Sequence, residues 1–553
     1  MSYRTALLPA LLALAACQGK TPAPVRAPET PEAQVPADLA ATRIEADLRF
    51  LADDLLEGRE AGTRGYALAS LYVAQRLRAI GLEPAGENGS YFQTVPLLRA
   101  TRVDGGSEAV IEREGRRTVL RERDAFLPSL NYNRPDARIT APAVFVGQGV
   151  HAPELQHDDF RGVDVRGKIA VLFAGAPEKF DNDRRAFYSS SREKFAELVR
   201  RGAVGVLFLT TDEDEKRHPW ARSIANWSKP GMRLRAADGT AVDSYPELQV
   251  VGSAHIDHNT AILGRDPASL YAAVKAGTLA PFDLPGTLTL ASRTQIAKSQ
   301  SRNVVARLRG RDASLGGEHV AFTAHLDHVG IGAPVEGDAI YNGALDNALG
   351  VAIMLEAAQQ LVSANDAPKR SLLFIALTAE EKGLLGAEWF VRNPTVPRGS
   401  LVANVNMDMP VMLTPTRDVV PIGIEHSDLK PIVEQAAKDV GVGLSPDPLP
   451  EEVVFVRSDQ YAFIRAGIPA VYLDGGIDAH EGDGTAAMKT FLSEHYHRPS
   501  DDADQTIQYA DAARLARLNA NIGERIANRA QRPKWNAGDF FGERFGAKPA
   551  REP

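Results

Sequence analysis

A histidine that closes an apolar strand, followed one loop later by an aspartate at a helix entrance, constrains this chain more than any other feature. Residues 318–324, Glu-His-Val-Ala-Phe-Thr-Ala, are mostly apolar and read as a buried strand. His325-Leu-Asp327-His328 follows, then Tyr341-Asn-Gly-Ala-Leu-Asp346-Asn347. Residues 347–361 read as a helix, with Asp346 and Asn347 supplying capping chemistry at its start. A strand–loop–helix unit of this kind belongs to an open α/β sheet, whose C-terminal strand edge collects ligands and catalytic groups. An imidazole and a carboxylate brought together there suit a divalent ion of the zinc type. Asp327, two residues past His325, is placed to accept the ring N–H and select the nitrogen that faces outward. Taken alone, these residues fit a buried His–Asp hydrogen bond equally well.

The surrounding chain repeats the pattern. Apolar runs at Asn303–Leu308, Ser371–Leu377, Leu401–Asn406 and Ala470–Leu473 alternate with helical periodicities, the last carrying Leu515, Leu518, Ile522 and Ile526 on one face. That alternation predicts an α/β fold with a mostly parallel, mixed sheet sandwiched by helices. At 553 residues the chain is too long for one core. Residues 39–130 read as the first part of the main domain, 131–290 as a separate small β-rich domain, 291–535 as the remainder, and 536–553 as a tail. The 131–290 stretch contains one strand–helix–strand unit, Lys168–Phe173, Arg192–Arg201 and Gly205–Leu209, and no convergent catalytic group. A net charge of -8 argues against nucleic acid or an anionic membrane surface as partner.

The start of the chain carries a different signal. Arg4 precedes an apolar run from Ala6 to Cys17, too short to span a bilayer but suited to a secretory leader. It ends in Leu14-Ala-Ala-Cys17, which resembles the bacterial lipobox, and Cys17 is the only cysteine in the chain. The resemblance implies cleavage before Cys17, its lipidation, and an outer-membrane anchor facing the periplasm or cell surface, since Gln18 and not aspartate follows. Residues 18–38, rich in Pro and Ala, read as a tether.

Three later motifs end strands or enter helices of the same sheet. Glu380 and Glu381 follow the 371–377 run in a turn, where adjacent carboxylates can converge as they could not within a regular strand. Asp408 ends the 401–406 run, and Tyr496-His497 lies in the loop before the last helix. In order and spacing these motifs resemble the M28 family of zinc aminopeptidases, over about residues 39–130 and 295–530. The 131–290 stretch resembles the protease-associated domain that many members carry, which would limit access or position substrate.

The resemblance implies a ligand set. His325 and Asp408 would bind one zinc, Glu381 and His497 a second, and Asp346 would bridge them; cobalt or manganese suits the same donors. It further implies hydrolysis of N-terminal peptide bonds by water activated between the ions, with Glu380 as general base, Asp327 behind His325, and Tyr496 helping to hold the oxyanion. Arg457-Ser-Asp459-Gln460-Tyr-Ala-Phe463 resembles a substrate-side loop, so Arg457 and Asp459 are candidate substrate contacts. Gln460 and Ala462 replace a histidine and a proline common in relatives. A carboxypeptidase, dipeptidase or glutaminyl cyclase on the same scaffold is the alternative. A non-catalytic binding protein would be expected to have lost a ligand or the base, and none is missing.

Overall fold

A computed structural model describes residues 39–364 and 366–546. Cys17, the leader and the tether lie outside the described residues. The strands that matter here are, in chain order, β1 (Phe92–Arg102), β2 (Glu108–Arg113), β3 (Arg116–Arg121), β4 (Phe126–Pro128), β5 (Asp136–Phe145), β6 (Ile169–Phe173), β7 (Gly205–Leu209), β8 (Gly231–Leu234), β9 (Val250–Ala254), β10 (Phe282–Leu308), β11 (His319–His325), β12 (Ser371–Leu377), β13 (Leu401–Asn406) and β14 (Ala470–Asp474).

The first sheet runs β8–β1–β10–β12–β11–β13–β14. Strands β12, β11, β13 and β14 are mutually parallel, and the first three strands are antiparallel additions on one side. Every residue of β11, β12 and β14 is buried, as expected of parallel strands covered on both faces. Alternation divides the side chains between two layers. Phe322 and Phe374 stack with ring centroids 4.9 Å apart and face the helices Gly350–Ser363 and Tyr509–Asn528. Ala321, Leu373 and Ile375 face the opposite way, toward Phe390 and Phe463. The terminal helix lies so close that a Cβ on Gly523 would sit 2.0 Å from the Phe322 ring. Leu515, Leu518, Ile522 and Ile526 are all buried against this layer. The sandwich expected from sequence is the observed one.

The second sheet has a parallel core of its own. β5, β6, β7 and β9 run parallel, with β4 antiparallel on one edge and β10, β2 and β3 antiparallel on the other. The strand–helix–strand unit is present, with the helix Ser191–Arg200 joining β6 to β7. The sheet boundary departs from the 130/131 division read from sequence, because β2, β3 and β4 pair inside the second sheet and β8 pairs with β1 in the first. A short hairpin has no local signal for the sheet it will join; partners far along the chain decide it.

Two features weld the sheets. The 27-residue strand β10 pairs with β2 and β5 through its N-terminal half and with β1 and β12 through its C-terminal half. An aromatic cluster adds a second seam: Phe180, Phe187 and Tyr188 pack with Phe455, Phe540 and Phe541. The stretch read as a tail from residue 536 supplies two of these, from the helix Phe540–Phe545.

Candidate metal centre

The parallel strands of the first sheet deliver their next residues to one edge. His325 is the last residue of β11. Glu380 and Glu381 follow β12, after Ala379 turns the backbone with φ of 55°. Asp408 lies two residues past β13, Asp346 sits in the loop before the helix Gly350–Ser363, and His497 ends the 491–496 turn with φ of 55°. Two donor clusters result, and they share Asp346. One is His325, Asp346 and Asp408; the other is His328, Asp346, Glu381 and His497. His325 Nε2 lies 2.8 Å from Asp408 Oδ1 and 3.2 Å from Asp346 Oδ1. His497 Nε2 lies 3.2 Å from Asp346 Oδ2 and 3.1 Å from Glu381 Oε2.

All five ligand candidates from the sequence therefore meet, and His328 joins them as a sixth. Its Nδ1 is 2.8 Å from Glu381 Oε1, yet neither atom, nor His328 Nε2, makes a hydrogen bond of acceptable geometry, and all three are buried. A buried ring-nitrogen lone pair and a carboxylate oxygen left without hydrogen bonds, side by side, are what a cation would satisfy. His328 was visible in the sequence beside His325, but nothing local indicated that its ring turns to the second cluster.

The electrostatics agree. Burial opposes charge on His325, but Asp408, Glu380 and Asp346 outweigh it and raise its pKa. Burial likewise opposes charge on His497, while Glu381 and Asp346 raise it to about 10. Asp346 is held well below the usual carboxylate range against its burial, by His328, His325 and His497. The carboxylates thus favour positive charge beside them. Glu380 differs: burial, with Glu381, Asp408 and Asp459 nearby, pushes its carboxyl well up. That setting favours uptake of a proton, as a general base in this position requires.

The supports come from distant segments. Arg59 is 1% exposed; its Nε donates to the Leu326 carbonyl at 2.9 Å, and its other nitrogens to the carbonyls of Leu51, Asn342 and Gly343. One guanidinium thereby ties the loop after His325 to the loop before Asp346. Gly58 lets it in: with φ of 65°, a Cβ there would meet the Tyr341 carbonyl oxygen at 2.3 Å. Asp501 accepts from the Leu345 and Asp346 N–H groups at 2.9 and 3.0 Å. Asn347 Oδ1 accepts from Gly350 N, at the first residue of the helix, and from Met409 N, joining the Asp346 and Asp408 loops; it is not the capping residue, which is Leu349. The helix starts at Gly350 and not at Asn347, because Asp346 turns into the site.

Three expectations are corrected. His325 Nδ1 donates to the Asp327 backbone carbonyl at 3.0 Å, not to its carboxylate. Two residues along, the main chain is nearer than the side chain, and the same tautomer results. The Asp327 carboxylate instead accepts from Glu380 N at 3.1 Å, holding the base loop, and burial raises its pKa to about 6. Asp459 does not line an open substrate surface; it is fully buried behind His325 and Asp408. Gln460, on the next turn, is anchored to the sheet by Asn406 and to the 454–455 carbonyls, which draws the loop inward. Arg457 is exposed and paired with Glu452 at 2.7 Å. Tyr496 stacks on His497 with ring centroids 3.9 Å apart. Burial and the nearby Asp346, Glu381 and Glu380 push its phenol well above the ordinary range.

Residues 303–523 match the sequence profile of Peptidase family M28. The M28 region contains every residue of both clusters. Leupeptin-inactivating enzyme 1 of Streptomyces exfoliatus is 33% identical over 156 residues, 28% of this chain and 32% of that protein. A "Probable zinc metalloprotease" of Pyrenophora tritici-repentis is 40% identical over 74 residues, 13% of this chain and 16% of that protein. The chain thus spans less than a third of the length of either relative. The structure of an aminopeptidase from Aneurinibacillus sp. strain AM-1 is 19% identical with a TM-score of 0.52, covering 89% of this chain and 95% of that one. The similarity in fold therefore extends well beyond the M28 region.

Proposed function

We propose that this chain is a metal-dependent aminopeptidase holding two divalent ions, zinc being the natural occupant. The observation that carries the reading is the pair of donor clusters sharing Asp346, with a protonatable Glu380 beside them. Asp346, Asp408, Glu381 and Glu380 bring four negative charges when ionised, and two divalent ions balance them. The M28 profile and the zinc named for a relative point the same way.

His325 and Asp408 would hold one ion, His497 and Glu381 the other, with Asp346 between them and His328 on the second. Ions so held would polarise the scissile carbonyl and acidify water. The chain's own residues do the rest. The Asp327 carbonyl and Arg59 fix the His325 ring and its loop, so Nε2 faces the site. Glu380, steadied through its N–H by Asp327, takes the proton of the attacking water and returns it to the leaving amine. Tyr496 keeps its hydroxyl proton across the working pH range and can donate to the developing oxyanion.

The test is metal content and hydrolysis on one preparation lacking residues 1–17. About two ions per chain, cleavage of a free-amine aminoacyl anilide but not its N-acetyl twin, and a loss of roughly 10²–10⁴-fold in Glu380→Gln are expected. Failure to bind any ion after zinc is supplied would sink the reading.

A further inference from the structure

The chain between β7 and β8 approaches the metal centre where it enters the first sheet. Between the buried Trp227 and strand β8, Lys229 leans over the ring of Tyr341, with Nζ 4.6 Å from its centroid. Tyr341 ends the strand that leads into the Asp346 loop. Space for the lysine is provided by Gly332, where a Cβ would lie 2.8 Å from Lys229 Nζ. Lys229 is half-buried, and burial together with the nearby Lys382 lowers its pKa. The charged groups that face it are Lys382, Glu60, Glu381 and Arg222. Both carboxylates are engaged elsewhere: Glu60 with Lys382 at 2.8 Å, and Glu381 with the second donor cluster. Among the described residues Lys229 has no ion-pair partner of its own, and two further cations, Lys382 and Arg222, stand near it.

The Tyr341 ring compensates part of the cost of half-burying this ammonium, and with both nearby carboxylates held by other groups an arriving anion would supply the rest. The residue is not needed to hold the local backbone, which β8 fixes by pairing with β1. Its contact with Tyr341, which leads into the Asp346 loop, and the nearness of Glu381 place the awaited anion on the side of the metal centre.

We propose that Lys229 is a specificity residue that receives a substrate carboxylate, so that the enzyme prefers peptides carrying a negative charge close to the scissile bond. The proposal rests on the aminopeptidase reading and deepens it. The carboxylate has two sources, the free C-terminus of a very short peptide or an acidic side chain next to the cleaved residue. In both, the 131–290 stretch contributes to recognition, not only to access.

The experiment uses the metal-loaded protein and four substrates in pairs: Leu-Ala with Leu-Ala-amide, and Leu-Glu-amide with Leu-Gln-amide. In at least one pair the charged member should show kcat/KM roughly tenfold above its neutral twin, carried mainly by KM. The pair that discriminates identifies the source. In Lys229→Met that ratio should fall to about one, and in Lys229→Arg it should persist. Ratios near one in wild type, or a ratio that survives in Lys229→Met, would overturn the proposal while leaving the aminopeptidase reading intact. If Lys229→Met fails to fold, wild type decides: a preference for the charged twin that weakens with added salt supports the proposal, and a salt-independent preference overturns it. No cleavage of any of the four would overturn the aminopeptidase reading, and the proposal with it.

Discussion

Both sheets of this protein have four parallel strands at their core and share the strand β10, yet they treat their C-terminal edges in opposite ways. In the first sheet the residues beyond β11, β12 and β13 are imidazoles and carboxylates turned toward one another. In the second, the loops beyond β5 and β6 present backbone carbonyls, and Lys194, from the helix between β6 and β7, donates to those of Gln148 and Gly175 at 2.5 and 2.6 Å. The first edge collects negative charge and requires a cation from outside. The second edge engages its carbonyls with a side-chain amine of the chain itself. Sheet topology explains where polar groups gather; what each edge can bind depends on whether its charge is already balanced within the chain.

Three substitutions sharpen or break that contrast. Arg59→Met should have the largest effect. It leaves four buried carbonyls without their donor and frees both ligand loops. A loss of about 3–5 kcal/mol in urea unfolding is expected, with weaker metal binding; unchanged stability and metal affinity would mean that Arg59 does not organise the edge. Phe187→Ala tests the seam between the regions. The ring is 1% exposed and packs edge-on to Tyr188 and Phe540. Its removal should cost about 3 kcal/mol, and limited proteolysis of the seam helices, which lie outside the shared ladder, should appear before loss of metal from the first sheet. Cleavage and metal loss in step would refute that order.

Lys194→Met gives the smallest effect and the one with a pH signature. Burial pushes this ammonium down from about 10.5 to about 7. The unfolded chain therefore holds the proton between those values while the folded protein has released it. Stability accordingly rises with pH from about 7 to 10.5, and the cost of burying the charge is fully felt below 7. Between pH 7 and 8 the rise should be about 1 kcal/mol and should disappear in Lys194→Met, read from urea midpoints at each pH. An identical slope in both proteins would count against a buried, titrating Lys194.

Much of the metal centre was legible because its residues are sequential neighbours of strong strand signals. His325, Glu381 and Asp408 each follow an apolar run, so location and chemistry can be read together. Arg59, Asp501 and Lys229 gave no such signal. Three of the four carbonyls that Arg59 holds lie 267 or more residues away, and no local pattern encodes a partner at that distance. The Asp327 carboxylate was assigned to the wrong neighbour because spacing along a chain does not fix which of two acceptors, main chain or side chain, the ring will meet. β10 was read only from Asn303 onward. Its central residues, including Arg293, Gln295, Lys298 and Gln300, are exposed and polar, so alternation is lost where the strand crosses from one sheet to the other.

That crossing strand has a consequence for how the molecule comes apart. Its residues exchange ladder hydrogen bonds with β2 and β5 at one end and with β1 and β12 at the other, with no helix or loop interrupting it between. Amide protons along it are guarded from both ends, so neither sheet can open as an independent unit without fraying the ladder of its neighbour. The two regions differ in chemistry but share one cooperative element, and a ligand that tightens the metal edge slows hydrogen exchange in the sheet that never touches it.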